Sequence, residues 1–299
     1  MNLNLWLDLI ILTLIWAGLS GAWNILAGYA GQFSLGHAAF FGVGAYTSSL
    51  LAVHFDVSPW IGMVAGALLS ALLALVVAGV SLRARGPFFT LMTIAFAEVV
   101  RILAVYAKSV TNGSEGLIIN LTPGIANMTF AAKWPYLVVS LAYAVAVFAI
   151  CIGLNRSRFG YRLLAVREDE GAARSLGVPA FWARVQATVL SAALTAIGGS
   201  VFAQYTQFID PDSTISFLLS VQPALIAIVG GLGQALGPLL GALLVVPLEQ
   251  LLRSWFGGVL FGLHGFIFGV ALIVILLAMP DGLLQIVRKA FRRRRPADA

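Results

Sequence analysis

The chain has 299 residues, of which 60% are hydrophobic and only 10% charged, with a mean hydropathy of +0.96. A soluble domain carries about 25% charged residues, so there is too little polar surface here to cover a globule in water; composition points to an all-α, polytopic membrane protein. The net charge of +6 invites a nucleic-acid reading, but the positions of the charges assign it to membrane orientation, and the single cysteine, Cys151, excludes an intrachain disulfide.

A spanning helix needs about 20 apolar residues. Nine segments qualify in chain order: 5–26, 33–53, 60–82, 88–107, 135–154, 184–205, 217–233, 237–255 and 266–286. The second is Gly-rich and polar and the seventh is short, so either can break or re-enter, and the count lies between eight and ten. Residues 1–8 carry no positive n-region, which argues against a cleaved signal peptide.

Where the second segment begins, the run Gly31-Gln32-Phe33-Ser34-Leu35-Gly36-His37-Ala38-Ala39-Phe40 places Gln, Ser and His in an apolar setting. Polar side chains at membrane depth cost free energy unless protein or a wet passage surrounds them. Gln32, Ser34 and His37 are therefore candidates for the wall of a translocation pathway, although a buried, hydrogen-bonded imidazole also accounts for His37. On the fourth segment Glu98 and Arg101 lie three apart and can neutralise each other across one helical turn. Glu249 and Arg253 repeat this at a spacing of four and read as a surface pair. The pairs Gly62/Gly66, Gly237/Gly241, Gly258/Gly262 and Gly265/Gly269 have the small-xxx-small spacing that lets helices approach closely.

Cytoplasmic loops of membrane proteins are enriched in Lys and Arg. The basic tail 287–299 with Arg288 at its head, the pair Arg83 and Arg85, and the segment 155–184 together hold all the Lys and Arg except Arg101, Lys108, Lys133 and Arg253. With nine spans this orients the C-terminus to the cytoplasm and the N-terminus outside. Two long connections follow: an external loop, 108–134, and a cytoplasmic loop, 155–183, in one transmembrane domain covering 1–299. The cytoplasmic loop is charged yet periodic. Leu163, Leu164, Arg167, Ala172 and Leu176 fall on parts of one helical face, Phe159, Leu163 and Val166 on another, and Gly177 before Pro179 is a stop. Two short helices that dock into a soluble partner, or a solvated orienting loop, both fit this pattern.

Taken together these residues resemble a known family. The segment 28–46 looks like the hallmark of branched-chain amino-acid ABC importer permeases of the LivM type. Gly86-Pro87-Phe88-Phe89-Thr90-Leu91, residues 111–117, the stretch from Phe159-Gly160 through Arg167-Glu168-Asp169-Glu170 to Leu176-Gly177, and Gly230-Gly231-Leu232-Gly233 followed by Gly237-Pro238 match in the same order. The resemblance implies a bacterial inner-membrane permease that pairs with a LivH-type permease, two cytoplasmic ATPase subunits and a periplasmic substrate-binding protein. It also implies that Arg167, Glu168, Asp169, Glu170, Ala172, Ala173, Leu176 and Gly177 form the loop that seats on the ATPase, with Gly171 interrupting the family's Glu-Ala-Ala order. No Gly-x-x-x-x-Gly-Lys-Ser/Thr occurs, so ATP is expected on the partner subunits, and no cofactor, metal or catalytic residue is expected in this chain. The partners beyond these are membrane lipid, and no nucleic acid. Substrates remain open between branched-chain amino acids and urea, amides or sugars. A secondary transporter driven by protons through His37 or Glu98 is the rival class.

Overall fold

A computed structural model describes residues 3–82, 86–119, 122–256, 263–278 and 282–285. Arg83, Arg85, Gly258, Gly262 and the basic tail lie outside the described residues.

The helices run α1 (Leu3–Asn24), α2 (His37–Phe55), α3 (Pro59–Ser81), α4 (Pro87–Tyr106), α5 (Lys108–Thr111), α6 (Trp134–Asn155), α7 (Arg158–Glu168), α8 (Glu170–Ser175), α9 (Ala180–Thr206), α10 (Pro211–Thr214), α11 (Phe217–Gly230), α12 (Gly237–Phe256) and α13 (Leu263–Ala278). Two strands of two residues, β1 (Leu117–Ile118) and β2 (Phe208–Ile209), pair antiparallel, with Leu117 opposite Ile209. The protein is thus an all-α membrane protein. Among the described residues seven stretches are long and apolar enough to cross a bilayer: Leu3–Tyr29, Pro211–Gly230, and helices α2, α3, α4, α6 and α9. The eighth segment falls on α12 and the first part of the ninth on α13, neither of which is among these seven, and residues 279–281 and 286 of the ninth lie outside the described residues.

Three sequence expectations change. The second span does not begin at residue 33, because the chain after Tyr29 stays irregular until His37. Gly31 there takes φ +69, a conformation that ends a helix. The face drawn through Leu163, Arg167, Ala172 and Leu176 is interrupted at Asp169, whose extended backbone separates α7 from α8. Gly265 and Gly269 meet no atom within 4 Å of where a Cβ would sit, so they are not a helix contact within the described residues.

In lipid no water drives apolar helices together, and close packing with interhelical hydrogen bonds does that work. Two packed blocks result. In one, α2, α3 and α9 meet backbone to backbone: a Cβ on Gly44 would lie 2.0 Å from the Ala196 carbonyl oxygen. The Ser200 hydroxyl donates to the Gly44 carbonyl at 2.9 Å across this contact. In the other, α1 is the centre and α6, α11 and α12 surround it. The α1 helix is apolar on every side, and Ile11, Ile15 and Leu19 on it are fully buried. The seam between blocks runs along α1 and α9, where the Ser191 hydroxyl donates to the Ala22 carbonyl at 2.6 Å.

Candidate functional site

At one end of the bundle α7 and α8 form a compact pair whose ends are all satisfied by local chemistry. Ser157 caps α7, its hydroxyl accepting from the Gly160 amide at 3.0 Å, and Asp169 caps α8, accepting from the Ala172 amide at 2.9 Å. The far end closes in a Schellman turn. Gly177 at φ +81 lets its own amide reach the Arg174 carbonyl at 2.9 Å and the Val178 amide reach the Ala173 carbonyl at 3.0 Å. Glu170 then fastens the pair to the bundle, accepting from Arg174 at 2.5 Å and from Arg184, in the first turns of α9, at 2.7 Å. Leu163, Val166 and Ala173 are buried beneath this pair, whereas Leu176 stands 85% exposed at its tip.

Of the loop residues singled out in the sequence, Arg167 links the surface to the bundle: the residue is exposed and its Nε lies 3.8 Å from Glu168 Oε1, yet its guanidinium reaches the end of α1. Its Nη1 donates to the Gly28 carbonyl at 2.5 Å. Gly28 lies in a π-helical turn, Ile25–Tyr29, that finishes α1, so the cation meets the carbonyl-rich, partially negative end of a helix. Asn24, one turn earlier, closes the same corner. Its Oδ1 accepts from the Gly233 amide at 2.8 Å and its Nδ2 donates to the Gln234 carbonyl at 3.1 Å. The end of α1, the middle of the α7–α8 pair and the turn between α11 and α12 therefore share one hydrogen-bonded corner. Side chains are excluded from it: a Cβ on Gly233 would lie 2.5 Å from Arg167 Nη1.

The polar run packs beside this corner. The Trp23 indole donates to the Ser34 carbonyl at 2.7 Å, the Thr90 hydroxyl to the Phe33 carbonyl at 2.6 Å, and the Leu35 amide to Thr93 Oγ1 at 3.1 Å. These bonds satisfy a non-helical backbone inside an apolar bundle. Ser34 and His37 are each 1% exposed, while Gln32 is half-buried and Phe33 exposed. His37 Nε2 lies 2.8 Å from Ser191 Oγ. Ser191 donates its own proton to the Ala22 carbonyl, an arrangement that suits a neutral His37 donating through Nε2–H. The Ala38 amide at the start of α2 donates to Ser220 Oγ at 2.9 Å, joining the run to α11.

On α4 the predicted pair of Glu98 and Arg101 forms at 2.5 Å and gains a third member, Asp212 of α10, at 2.6 Å from Arg101. All three are substantially exposed in this chain. At the bundle end opposite α7–α8, Asp8 accepts from Lys133 and from the Tyr205 hydroxyl, each at 2.5 Å. Glu249 accepts from Gln222 Nε2 at 2.7 Å. Sequence spacing did not reveal Asp212, Arg184, Asn24 or the Asp8–Lys133 pair. Except for Arg184, 14 residues from Glu170, each partner lies on a distant part of the chain, and no periodicity links residues 101 and 212.

A multi-pass helical bundle that joins its first two spans through a buried polar run and displays a capped helix pair at one end has the build of a membrane transport subunit. The family model "Branched-chain amino acid transport system / permease component" matches residues 5–276, and the chain belongs to that family. It is 27% identical to the high-affinity branched-chain amino acid transport system permease protein LivM of Escherichia coli K12, over 97% of this chain and 72% of that protein. It is 28% identical to the permease protein LivH of Salmonella typhimurium, over 49% of this chain and 46% of that protein. The nucleoside ABC transporter permease protein NupC of Lactococcus lactis is 30% identical over 62% of this chain and 57% of that protein. No solved structure matches the chain.

Proposed function

We propose that this chain is the LivM-type permease of an ATP-driven importer for branched-chain amino acids, and that it contributes half of a pathway completed by a LivH-type permease. The α7–α8 pair carries the reading. It is capped at each end, pinned by Glu170 to α9, and holds Leu176 out for a soluble partner. Glu168, Asp169, Glu170, Ala172, Leu176 and Gly177 then seat on a cytoplasmic ATPase, with Ala173 buried beneath them, and two such ATPases bind the ATP. The α7–α8 end and the basic tail face the cytoplasm of a bacterial inner membrane. The N-terminus and the external loop face a periplasmic binding protein that delivers the substrate. LivM-like identity across nearly the whole chain supports amino acids as cargo, where the nucleoside relative covers less of it.

The face of α4 is assigned to the pathway and the second permease. Exposed Glu98, Arg101 and Asp212 are costly against lipid, and water or protein must cover them. Of the polar run, Gln32 is the member open to a permeant, with Ser34 and His37 shaping the wall from behind.

Purification of the tagged chain from its native membrane in mild detergent, with mass spectrometry of what accompanies it, tests this reading. Two ATPases and a second permease are expected. Recovery of the chain alone, active in proton-driven uptake, would refute it.

A further inference from the structure

The two packed blocks and the two ties of the α7–α8 pair belong together. Glu170 grips Arg184 of α9 at 2.7 Å and so holds the block of α2, α3 and α9. Arg167 grips the Gly28 carbonyl at 2.5 Å and so holds the block centred on α1, at a corner that Asn24 extends to the turn before α12. The helix pair therefore straddles the seam with one charged hand on each side. The two hands sit on α7 and α8, and only the short turn at Asp169 separates them.

We propose that Arg167 is the transmission residue of this permease: through its bond to the Gly28 carbonyl it carries the motion of the α7–α8 pair to α1 and the α11–α12 turn. The proposal rests on the import reading above and separates Arg167 from the docking residues around it. Four observations support it. The guanidinium reaches a helix end in the bundle while the rest of the residue stays exposed beside Glu168. The α1 turn that receives it is π-helical, a rare local form that recurs at functional sites. Gly31 and Gly233, both at positive φ, leave the passage that the side chain occupies: a Cβ on Gly31 would lie 3.1 Å from Arg167 Cγ, and one on Gly233 2.5 Å from Nη1. Finally, the corner bonds to backbone carbonyls and amides, so pulling Arg167 moves main chain and not a side-chain rotamer. A guanidinium suits this role, because its planar, always-charged fork keeps its geometry while the pair shifts. Gly31 of the hallmark and Gly233 of the Gly-Gly-Leu-Gly turn thus share a purpose, which is to admit an arginine from the coupling pair.

The test uses the native complex, purified through a tag on this chain and reconstituted in vesicles. Radiolabelled leucine uptake and ATP hydrolysis are measured in the same preparation. For Arg167→Ala, uptake falls at least tenfold, hydrolysis stays within twofold of wild type, and the ATPases co-purify in unchanged amount, so more ATP is consumed per leucine moved. Arg167→Lys keeps the cation but not the fork, and is expected to lose at least threefold in uptake with hydrolysis within twofold. If Arg167→Ala does not accumulate, the lysine variant alone decides. The proposal is overturned if uptake is unchanged, if uptake and hydrolysis fall in parallel, or if the ATPases no longer co-purify, which would make Arg167 a docking residue. A wild-type complex that moves no leucine with ATP refutes the import reading, and this inference with it. Loss confined to the variants leaves that reading standing.

Discussion

The spans built on α1 and α4 are close in apolarity, with mean hydropathies of 1.8 and 2.0 over their best stretches, yet 78% of the first stretch is buried and 17% of the second. Apolar character does not separate them, since lipid receives a leucine as readily as protein does. What separates them is the capacity for close approach and for hydrogen bonds. The α1 helix offers Gly18 and Gly21 to α6, the Ser20 hydroxyl to the Pro223 carbonyl at 2.7 Å, and Asn24 to the α11–α12 turn. The α4 helix buries only Phe89, Thr93 and Ala97 and carries Glu98 and Arg101 on its open side. The lesson is that a membrane helix is made central by its small and polar residues, and that charge on an uncovered face marks where another surface belongs.

The comparison is broken most sharply at Gly18. A Cβ there would lie 2.3 Å from the Tyr143 ring, and that ring is held by its hydroxyl, which donates to the Leu194 carbonyl at 3.1 Å. Gly18→Val is therefore expected to cost about 3 kcal/mol, near the upper end for overpacking. Ala95→Val on exposed α4 should stay within about 0.5 kcal/mol. Thermal unfolding of both in one detergent checks this, and equal midpoints would refute the contrast.

Asn24→Ala tests the polar half of the argument. It removes two hydrogen bonds and leaves the Gly233 amide without its partner, so a loss of about 1–3 kcal/mol is expected. An unchanged midpoint would mean that the corner is held by packing alone.

A small effect on stability is also expected at Arg101. Exposed ion pairs contribute about 0–1 kcal/mol, so Arg101→Leu should fold nearly as well as wild type, while uptake by the assembled complex falls several-fold because Glu98 and Asp212 are left uncompensated on the open face. A midpoint lowered as far as that of Asn24→Ala, with transport retained, would make the triad a brace and not part of the passage.

Much of this was legible in the chain. Composition established a helical membrane protein, and the polar run, the Glu98–Arg101 spacing and the periodic basic loop each marked a place where the structure does something unusual. The stop at Gly177 and the two short helices were also readable, because helix caps and glycine turns depend on residues a few positions apart. Less could be read where contacts are distant. Asp169 reads as one more charge in a run, and only its capping bond to Ala172 shows that it divides two helices. Leu163 and Leu176 look alike in a periodic pattern, yet one is fully buried and the other almost fully exposed.

The sequence by itself determined the class, the approximate spans and the family, because hydropathy, caps and motifs are properties of neighbouring residues and survive without knowledge of the fold. Only the tertiary structure decided which helices are central, that Asp212 joins Arg101, that His37 pairs with Ser191, and that Arg167 reaches Gly28. The physical reason is range. A hydrogen bond or a close backbone contact acts over about 3 Å in space, and the residues that make these contacts are separated by more than a hundred positions along the chain.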